Sequence, residues 1–400
     1  MTIACPDCGT LQDVAPLAAG ATAICPTCGN HLERSSGRSI EAALAFASAT
    51  FLLLFPANLL PLMRVSMLGE TRETYIGSGV AALWDEHWVI VAICVGAFAI
   101  VLPVVRFGLL SLVLLCLKAS HRPAWLGSAF RWAVHLDLWA MPDVFLIGCF
   151  VGYSRVEAKL TTTVAVGGFC LMAAAFFSMI ARAALDRRTV WRALMPEHSL
   201  PEGEAISCTI CDLVVPMRTG PHVCPRCGAR LSARKADVMI RTAALLLAGF
   251  VLYFPANFYP MSSNTQLGEH VSHRIIDGII DLFQAGLGPL GVLIFCTSIA
   301  IPLLKLAGMS WFLLSIRRRS RKRLVLKAKL YRLIDEIGRW SNVDVFTVAV
   351  FVPLMQFRPL VATSAALGST AFLSVVVLTM IASRIFDPRL MWDAALAGRP

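Results

Sequence analysis

Eight cysteines carry the clearest chemistry in this chain. They fall in four Cys-x-x-Cys pairs: Cys5 with Cys8, Cys25 with Cys28, Cys208 with Cys211, and Cys224 with Cys227. Such a turn lets two thiolates share one ion, and two turns close a tetrahedral site. The gaps between pairs are 16 and 12 residues, so each set of four reads as one site. Gly9, Gly29 and Gly228 follow second cysteines, where a residue without Cβ permits the tight turn that aims amides at sulfur. Four thiolates suit Zn²⁺ or a single rubredoxin-type iron. Two structural zinc sites are the expectation, because four sulfurs leave no open position for a substrate. His31 and His222 lie close by and read as surface histidines. Cys94, Cys116, Cys149, Cys170 and Cys296 are scattered through apolar stretches and read as small hydrophobes. Paired cysteines in short knuckles point to metal in a reducing compartment, not to disulfides.

A second group of candidates is polar and sits inside apolar runs. Arg106 and Lys305 each follow a proline, Pro103 or Pro302, by three residues. A proline removes a backbone donor and kinks a helix. Asp143 and Asp344 open later apolar runs. Charges inside a membrane face a bundle interior or a cavity, which predicts the pairs Arg106–Asp143 and Lys305–Asp344. Ser298 lies seven residues before Lys305, on the same helical face. Ser341 is three residues before Asp344, and Thr379 lies deep in the last run. Ser298, Lys305, Ser341, Asp344 and Thr379 therefore predict a polar pocket, with Arg106 and Asp143 as counterparts in the first half. The competing reading is a polar network that only joins helices. Phe55-Pro56-Ala57-Asn58 and Phe254-Pro255-Ala256-Asn257 read as structural: the prolines end a helix and the asparagines cap freed backbone groups. No nucleophile–base pair, phosphate loop, catalytic carboxylate pair or zincin spacing appears, so an enzyme reading has no residues to rest on.

The elements that position these residues follow from composition and repetition. Of 400 residues, 57% are hydrophobic and 15% charged, against about half and about a quarter in soluble domains. With a mean hydropathy of +0.69, lipid must solvate much of the chain. The net charge of +11 does not signal nucleic acid, because the basic residues gather beside apolar runs. A repeat organises the rest. The Phe-Pro-Ala-Asn tetrads, Pro103/Pro302 and Arg106/Lys305 recur at an offset of 199. Trp139 and Asp143 recur as Trp340 and Asp344 at 201, as do Asp186, Arg188 and Trp191 as Asp387, Arg389 and Trp392.

The expected fold is an all-α polytopic membrane protein of two tandem four-helix modules, each preceded by a zinc-ribbon or rubredoxin-like four-cysteine domain. The expected domains are residues 1–36 and 196–235 for the ribbons, and 37–195 and 236–400 for the modules. Spans are placed at 40–62, 88–117, 140–156 and 161–183, then at 238–261, 286–316, 343–357 and 361–384. The first span serves as its own insertion signal. Basic residues crowd one set of segments, most densely at 317–329. The opposite set is sparser, with Arg64, Arg72, Arg155, Lys159, Arg274 and Arg358. The positive-inside rule then makes both ribbons and both termini cytoplasmic.

These motifs together resemble the paraquat-inducible protein A family of bacterial inner-membrane proteins, over nearly the whole chain. The resemblance rests on the doubled knuckles, the two tetrads, Pro-x-x-Arg/Lys, the Asp-Val-Phe after Trp139 and Trp340, and the closing Asp-x-Arg-x-x-Trp of each half. It implies an inner-membrane subunit that moves phospholipid between inner and outer membranes with a periplasmic MCE-domain tunnel protein. On that implication Lys305 holds a phosphate or a counter-carboxylate, Asp344 tunes it or carries a coupling proton, and Ser298, Ser341 and Thr379 complete the lining. One departure is Met141-Pro142 where the second half has Asn342-Val343, which points to the second module as the more active. Two other readings stand beside it: a redox protein with iron in the knuckles, and a passive anchor for the periplasmic partner.

Overall fold

The structure is a computed structural model that describes residues 2–15, 17–18, 20–34, 40–67, 70–157, 161–195, 205–216, 223–266, 269–355 and 361–397. His222, Lys159, Arg358 and the expected boundaries at residues 36 and 196 lie outside the described residues.

Strands β1 (Thr2–Ala4) with β2 (Leu11–Asp13) and β3 (Thr22–Ile24) with β4 (His31–Arg34) form the two hairpins of the first knuckle region. The first half then runs α1 (Ile40–Leu59), β5 (Met63–Met67), β6 (Glu70–Thr74), α2 (Ile76–Asp85), α3 (Val89–Lys118), α4 (Leu126–His135), α5 (Pro142–Glu157), β7 (Thr161–Val164), α6 (Val166–Ala184) and α7 (Arg187–Leu194). The hairpin β8 (Ala205–Ser207) and β9 (Val214–Pro216) opens the second knuckle region. The same succession follows as α8 (Val238–Phe258), β10 (Ser262–Gln266), β11 (Glu269–His273), α9 (Ile275–Gln284), α10 (Gly288–Arg317), α11 (Leu324–Ile337), α12 (Val343–Leu354), β12 (Val361–Ala365), α13 (Leu367–Ile385) and α14 (Arg389–Leu396).

Among the described residues, six helices are long and apolar enough to cross a membrane: α1, α3, α6, α8, α10 and α13. Two features bear on the eight-span, all-α expectation. First, α5 and α12 have 16 and 12 residues, short of the ~20 that a span needs. They are the inner pair, with the Phe145 and Phe346 rings 5.3 Å apart between them. Second, the chain is mostly helical but not all-helical. β7 and β12, counted within the fourth apolar stretches, leave those runs as strands. Each completes a three-stranded antiparallel sheet, in the orders β6-β5-β7 and β11-β10-β12. The run Thr161-Thr162-Thr163-Val164 is β-branched throughout, which favours an extended backbone.

The prolines act locally. α3 and α10 each contain a wide π-helical turn, Ala97–Val101 and Phe295–Ala300. Each lies just ahead of Pro103 or Pro302, where the missing N–H relaxes the hydrogen-bond ladder. Pro56 and Pro255 are tolerated inside α1 and α8, which end three residues later. There the Asn58 Nδ2 donates to Leu54 O at 2.6 Å and the Asn257 Nδ2 to Tyr253 O at 2.8 Å.

Candidate functional site

The eight knuckle cysteines form two compact clusters. In each, the four Sγ atoms lie within 4.8 Å of one another and all four residues are buried. Neighbouring sulfurs stand 3.4–3.6 Å apart. The edge of a Zn–S tetrahedron is about 3.8 Å, so the donor set fits one ion per cluster. The four turns share one geometry: the residue after each second cysteine donates its N–H to the carbonyl of the first, at 2.8–3.0 Å. That residue has positive φ at Gly9, Gly29, Asp212 and Gly228. Asp212 is the departure, an Asx residue in a left-handed position that its type tolerates.

Each cluster is fastened across the repeat. The first knuckle region packs against Trp392 of α14, and its Asp7 pairs with Arg332 of α11. Its Glu33 takes both Nη atoms of Arg192 of α7, at 2.6 and 2.9 Å. The second cluster shares one apolar core with Leu126 and Phe130 of α4 and Trp191 of α7. The second knuckle region therefore packs on the first half, and the first reaches the second half.

The intramembrane charges do not pair as the sequence predicts. Arg106 is buried and its Nη2 meets Asp137 Oδ1 at 2.6 Å, not Asp143. Arg182 joins the two carboxylates, with its Nε 3.1 Å from Asp137 and its Nη1 2.9 Å from Asp143. Arg187 adds a contact of 2.5 Å to Asp137, and Arg339 of the second half reaches Asp143 at 3.7 Å. Burial opposes the charge of Asp137, but Arg106, Arg187 and Arg182 overcome it and hold its carboxyl below the ordinary carboxylate value.

The second half is built differently. Lys305 is 1% exposed, and its Nζ donates to the Gly338 carbonyl at 3.1 Å. The offset of 201 that matches Trp139 to Trp340 sets Gly338 opposite Asp137. The second cation thus finds a backbone carbonyl where the first finds a carboxylate. A Cβ at Gly338 would sit 2.4 Å from Lys305 Cε, so any larger residue there must displace the lysine tip. Asp344 lies elsewhere in the second half. The Ser298 Oγ stands 3.4 Å from Thr297 Oγ1, and the Asp344 Oδ2 is buried with no hydrogen-bond partner among the described residues. Ser298 and Lys305, seven residues apart on α10, are separated by about 10 Å along the axis. Ser341 is buried with an unpartnered Oγ. Thr379 is buried and bonds Val376 O within its own helix at 2.9 Å.

Of the five predicted pocket residues, only Asp344 lines the cavity beneath the β10–β11 hairpin. This cavity of about 180 Å³ runs from the base of the β10–β11 hairpin, at Ser262 and His273, down to Asp344 and Thr347. Arg155, from the end of α5, enters it from the first half. Its guanidinium lies over Gly278 of α9, with Nη2 3.0 Å from where a Cβ would be. The sequence alone presents Arg155 only as an outward-side charge. Asp137 was missed altogether, although setting it against Gly338 in the repeat exposes the difference.

A family model described as paraquat-inducible protein A matches residues 40–195 and again 239–395. The chain belongs to the paraquat-inducible protein A family. Each matched stretch covers one half, and both cysteine clusters lie outside them. Among relatives, the intermembrane transport protein PqiA of Escherichia coli strain K12 is 29% identical over 403 residues, spanning 98% of this chain and 95% of the relative. The lipophilic envelope-spanning tunnel protein A of the same strain is 26% identical over 408 residues, spanning 98% and 92%. A probable intermembrane transport protein of Haemophilus influenzae is 25% identical over 399 residues, spanning 97% and 95%. No solved structure matches the chain at a significant level. With its six apolar helices, this member of the paraquat-inducible protein A family is a multi-pass membrane protein with two sites suited to metal.

Proposed function

We propose that this chain is the inner-membrane subunit of a system that moves lipid between inner and outer membranes, delivering to or receiving from a periplasmic MCE-domain tunnel protein. It is a transporter subunit and not an enzyme. The carrying observation is the second half's buried polar residues: a cavity lined by Asp344, and a buried Lys305 held by a backbone carbonyl. Related proteins named for intermembrane transport and for an envelope-spanning tunnel support the direction of this reading.

The topology we assign has eight crossings in two modules, 37–195 and 236–400, behind ribbons 1–36 and 196–235. Strand connectivity supports it. β5 follows α1 and pairs with β7, which precedes α6, with Met63 opposite Val164. The chain leaves that side through α3 and must return before β7. α5 leads into β7, and its 16 residues reach about 24 Å. In the second half α12 holds the matching place ahead of β12, which pairs with β10. Both termini and both ribbons then share the basic, cytoplasmic side, each ribbon holding one structural zinc through its four cysteines.

The test is functional. Lys305→Ala and Asp344→Ala are expected to accumulate normally in the membrane and to fail in restoring the envelope barrier to a strain lacking the protein. Normal barrier function in both variants sinks the assignment.

A further inference from the structure

The two halves close one seam and leave its counterpart open. On α2, Gly79 sits directly on α12, where a Cβ would lie 2.2 Å from Ala349 O. On α9 the matching residue, 199 positions on, is Gly278. There the neighbour is the Arg155 guanidinium instead of a helix backbone. The charged cavity occupies this open seam. Its opposite charges are not consumed by each other: Arg155 Nε and Asp344 Oδ2 are both buried without a hydrogen-bond partner among the described residues. Arg155, Asp281 and Asp344 all line this cavity. A volume of about 180 Å³ is below the ~300 Å³ of clefts for drug-sized ligands. It suits a small polar group and excludes acyl chains. Just outside, Ile276, Ile280 and Phe283 of α9 are 50%, 47% and 51% exposed and offer an apolar lip for chains.

From this we infer that the seam cavity binds a phosphoryl-ammonium zwitterion, the headgroup chemistry of a phosphoethanolamine lipid. This inference rests on the transport reading and names the ligand class of its site. The ammonium is the tip of such a headgroup and reaches the floor, where Asp344 Oδ2 accepts its hydrogen bond. The phosphate follows and takes the planar donors of Arg155, a geometry suited to phosphate oxygens. A phosphoglycerol headgroup satisfies the guanidinium but brings no cation to the buried carboxylate, which is left unpaired.

The experiment uses the full-length protein in bilayer nanodiscs containing equal phosphatidylethanolamine and phosphatidylglycerol. The lipids retained on transfer to detergent are counted by native mass spectrometry. The wild type is expected to enrich phosphatidylethanolamine about tenfold, the value of one charge-assisted hydrogen bond. Asp344→Asn brings the ratio near unity, Asp344→Glu restores a preference, and Arg155→Gln loses both lipids. Displacement by millimolar glycerophosphoethanolamine assigns the site to the headgroup alone. Retention against it assigns the site to the intact lipid with its chains on α9. Equal retention by the wild type overturns the inference, as does an unchanged preference in Asp344→Asn. The wild-type ratio decides by itself if a variant fails to accumulate. Vesicle-to-vesicle lipid transfer is read separately: transfer without preference overturns this site and leaves the transport reading standing, whereas preference without transfer does the reverse.

Discussion

Replacing Gly338 tests these buried polar residues at their least conspicuous point. A Cβ at this position would stand 2.4 Å from Lys305 Cε and 2.6 Å from Nζ. Ordinary van der Waals contact begins at 3.4 Å, so the lysine tip must retreat by about 1 Å. Its hydrogen bond to Gly338 O, already 3.1 Å long, is then lost. A hydrogen bond to a charged group is worth about 1.5–3 kcal/mol, so Gly338→Ala lowers the folding equilibrium constant by about 10- to 150-fold. Gly338→Asp makes the sharper comparison. It sets a carboxylate beside Lys305, as Asp137 stands beside Arg106 at 2.6 Å, and the displaced lysine tip is flexible enough to meet it. The expected outcome is a protein more stable than Gly338→Ala but inactive, because the cation is now neutralised by a fixed partner. Equilibrium unfolding in micelles and envelope-barrier complementation are the two readouts. A Gly338→Ala protein with wild-type stability, or a fully active Gly338→Asp protein, refutes the idea that an unpaired, carbonyl-held Lys305 matters.

Three other expectations follow from the same packing. Asp137→Asn leaves Arg106 buried without its carboxylate and is expected to destabilise by about 3–5 kcal/mol. Because the folded Asp137 carboxyl is held below its ordinary value, its contribution is present above about pH 4 and is lost as pH falls through the folded value. The stability gap between wild type and variant therefore narrows only in strong acid, which paired unfolding curves at several pH values check. Metal analysis of the purified chain is expected to give two zinc ions and no visible absorbance; Cys5→Ser with Cys28→Ser removes one ion and makes α14, which packs on that cluster through Trp392, more open to protease. Gly79→Val drives a side chain into the α12 backbone and is expected to cut accumulation sharply, while Gly77→Ala, with nothing within 4 Å of its Cβ, leaves it unchanged on an immunoblot.

Much of the frame is legible in the amino-acid order because its causes are local. An apolar run such as 238–258 can only be a buried or lipid-facing helix, and a Cys-x-x-Cys turn brings its two sulfurs together by its own geometry. Pro103 and Pro302 announce a disturbed ladder, and a π-turn precedes each. What escapes has non-local causes. β7 is an edge strand only because β5, about 100 residues earlier in the chain, offers it hydrogen bonds; read alone, 161–164 merges into the helix that follows. The charge pairs fail for a related reason. Repeat positions tell which residues correspond, not which touch, so Arg106 and Asp143 look like partners until Asp137 and Arg182 come between them. Arg155 is still less legible, since Gly278, which it covers, and Asp344, which shares its cavity, belong to the other half.

The departures between halves share one direction. In the first, Arg106, Arg182 and Arg187 converge on Asp137, and Asp143 is held from both halves by Arg182 and Arg339. Such a network is rigid, because moving one member strands another buried charge. In the second, each matching position is loosened: glycine replaces Asp137, Ser383 replaces Arg182, and Lys305 keeps one carbonyl contact. Asp344 Oδ2 has no hydrogen-bond partner among the described residues. The only guanidinium at its cavity that comes from the first half, Arg155, is loaned across the seam. A duplicated fold has thus kept guanidinium–carboxylate ion pairs in one half and given the other half's cation a backbone carbonyl instead. An undersatisfied buried charge is expensive to maintain unless a ligand or a proton periodically completes it. That is the physical reason to place transport in the second half and scaffolding in the first.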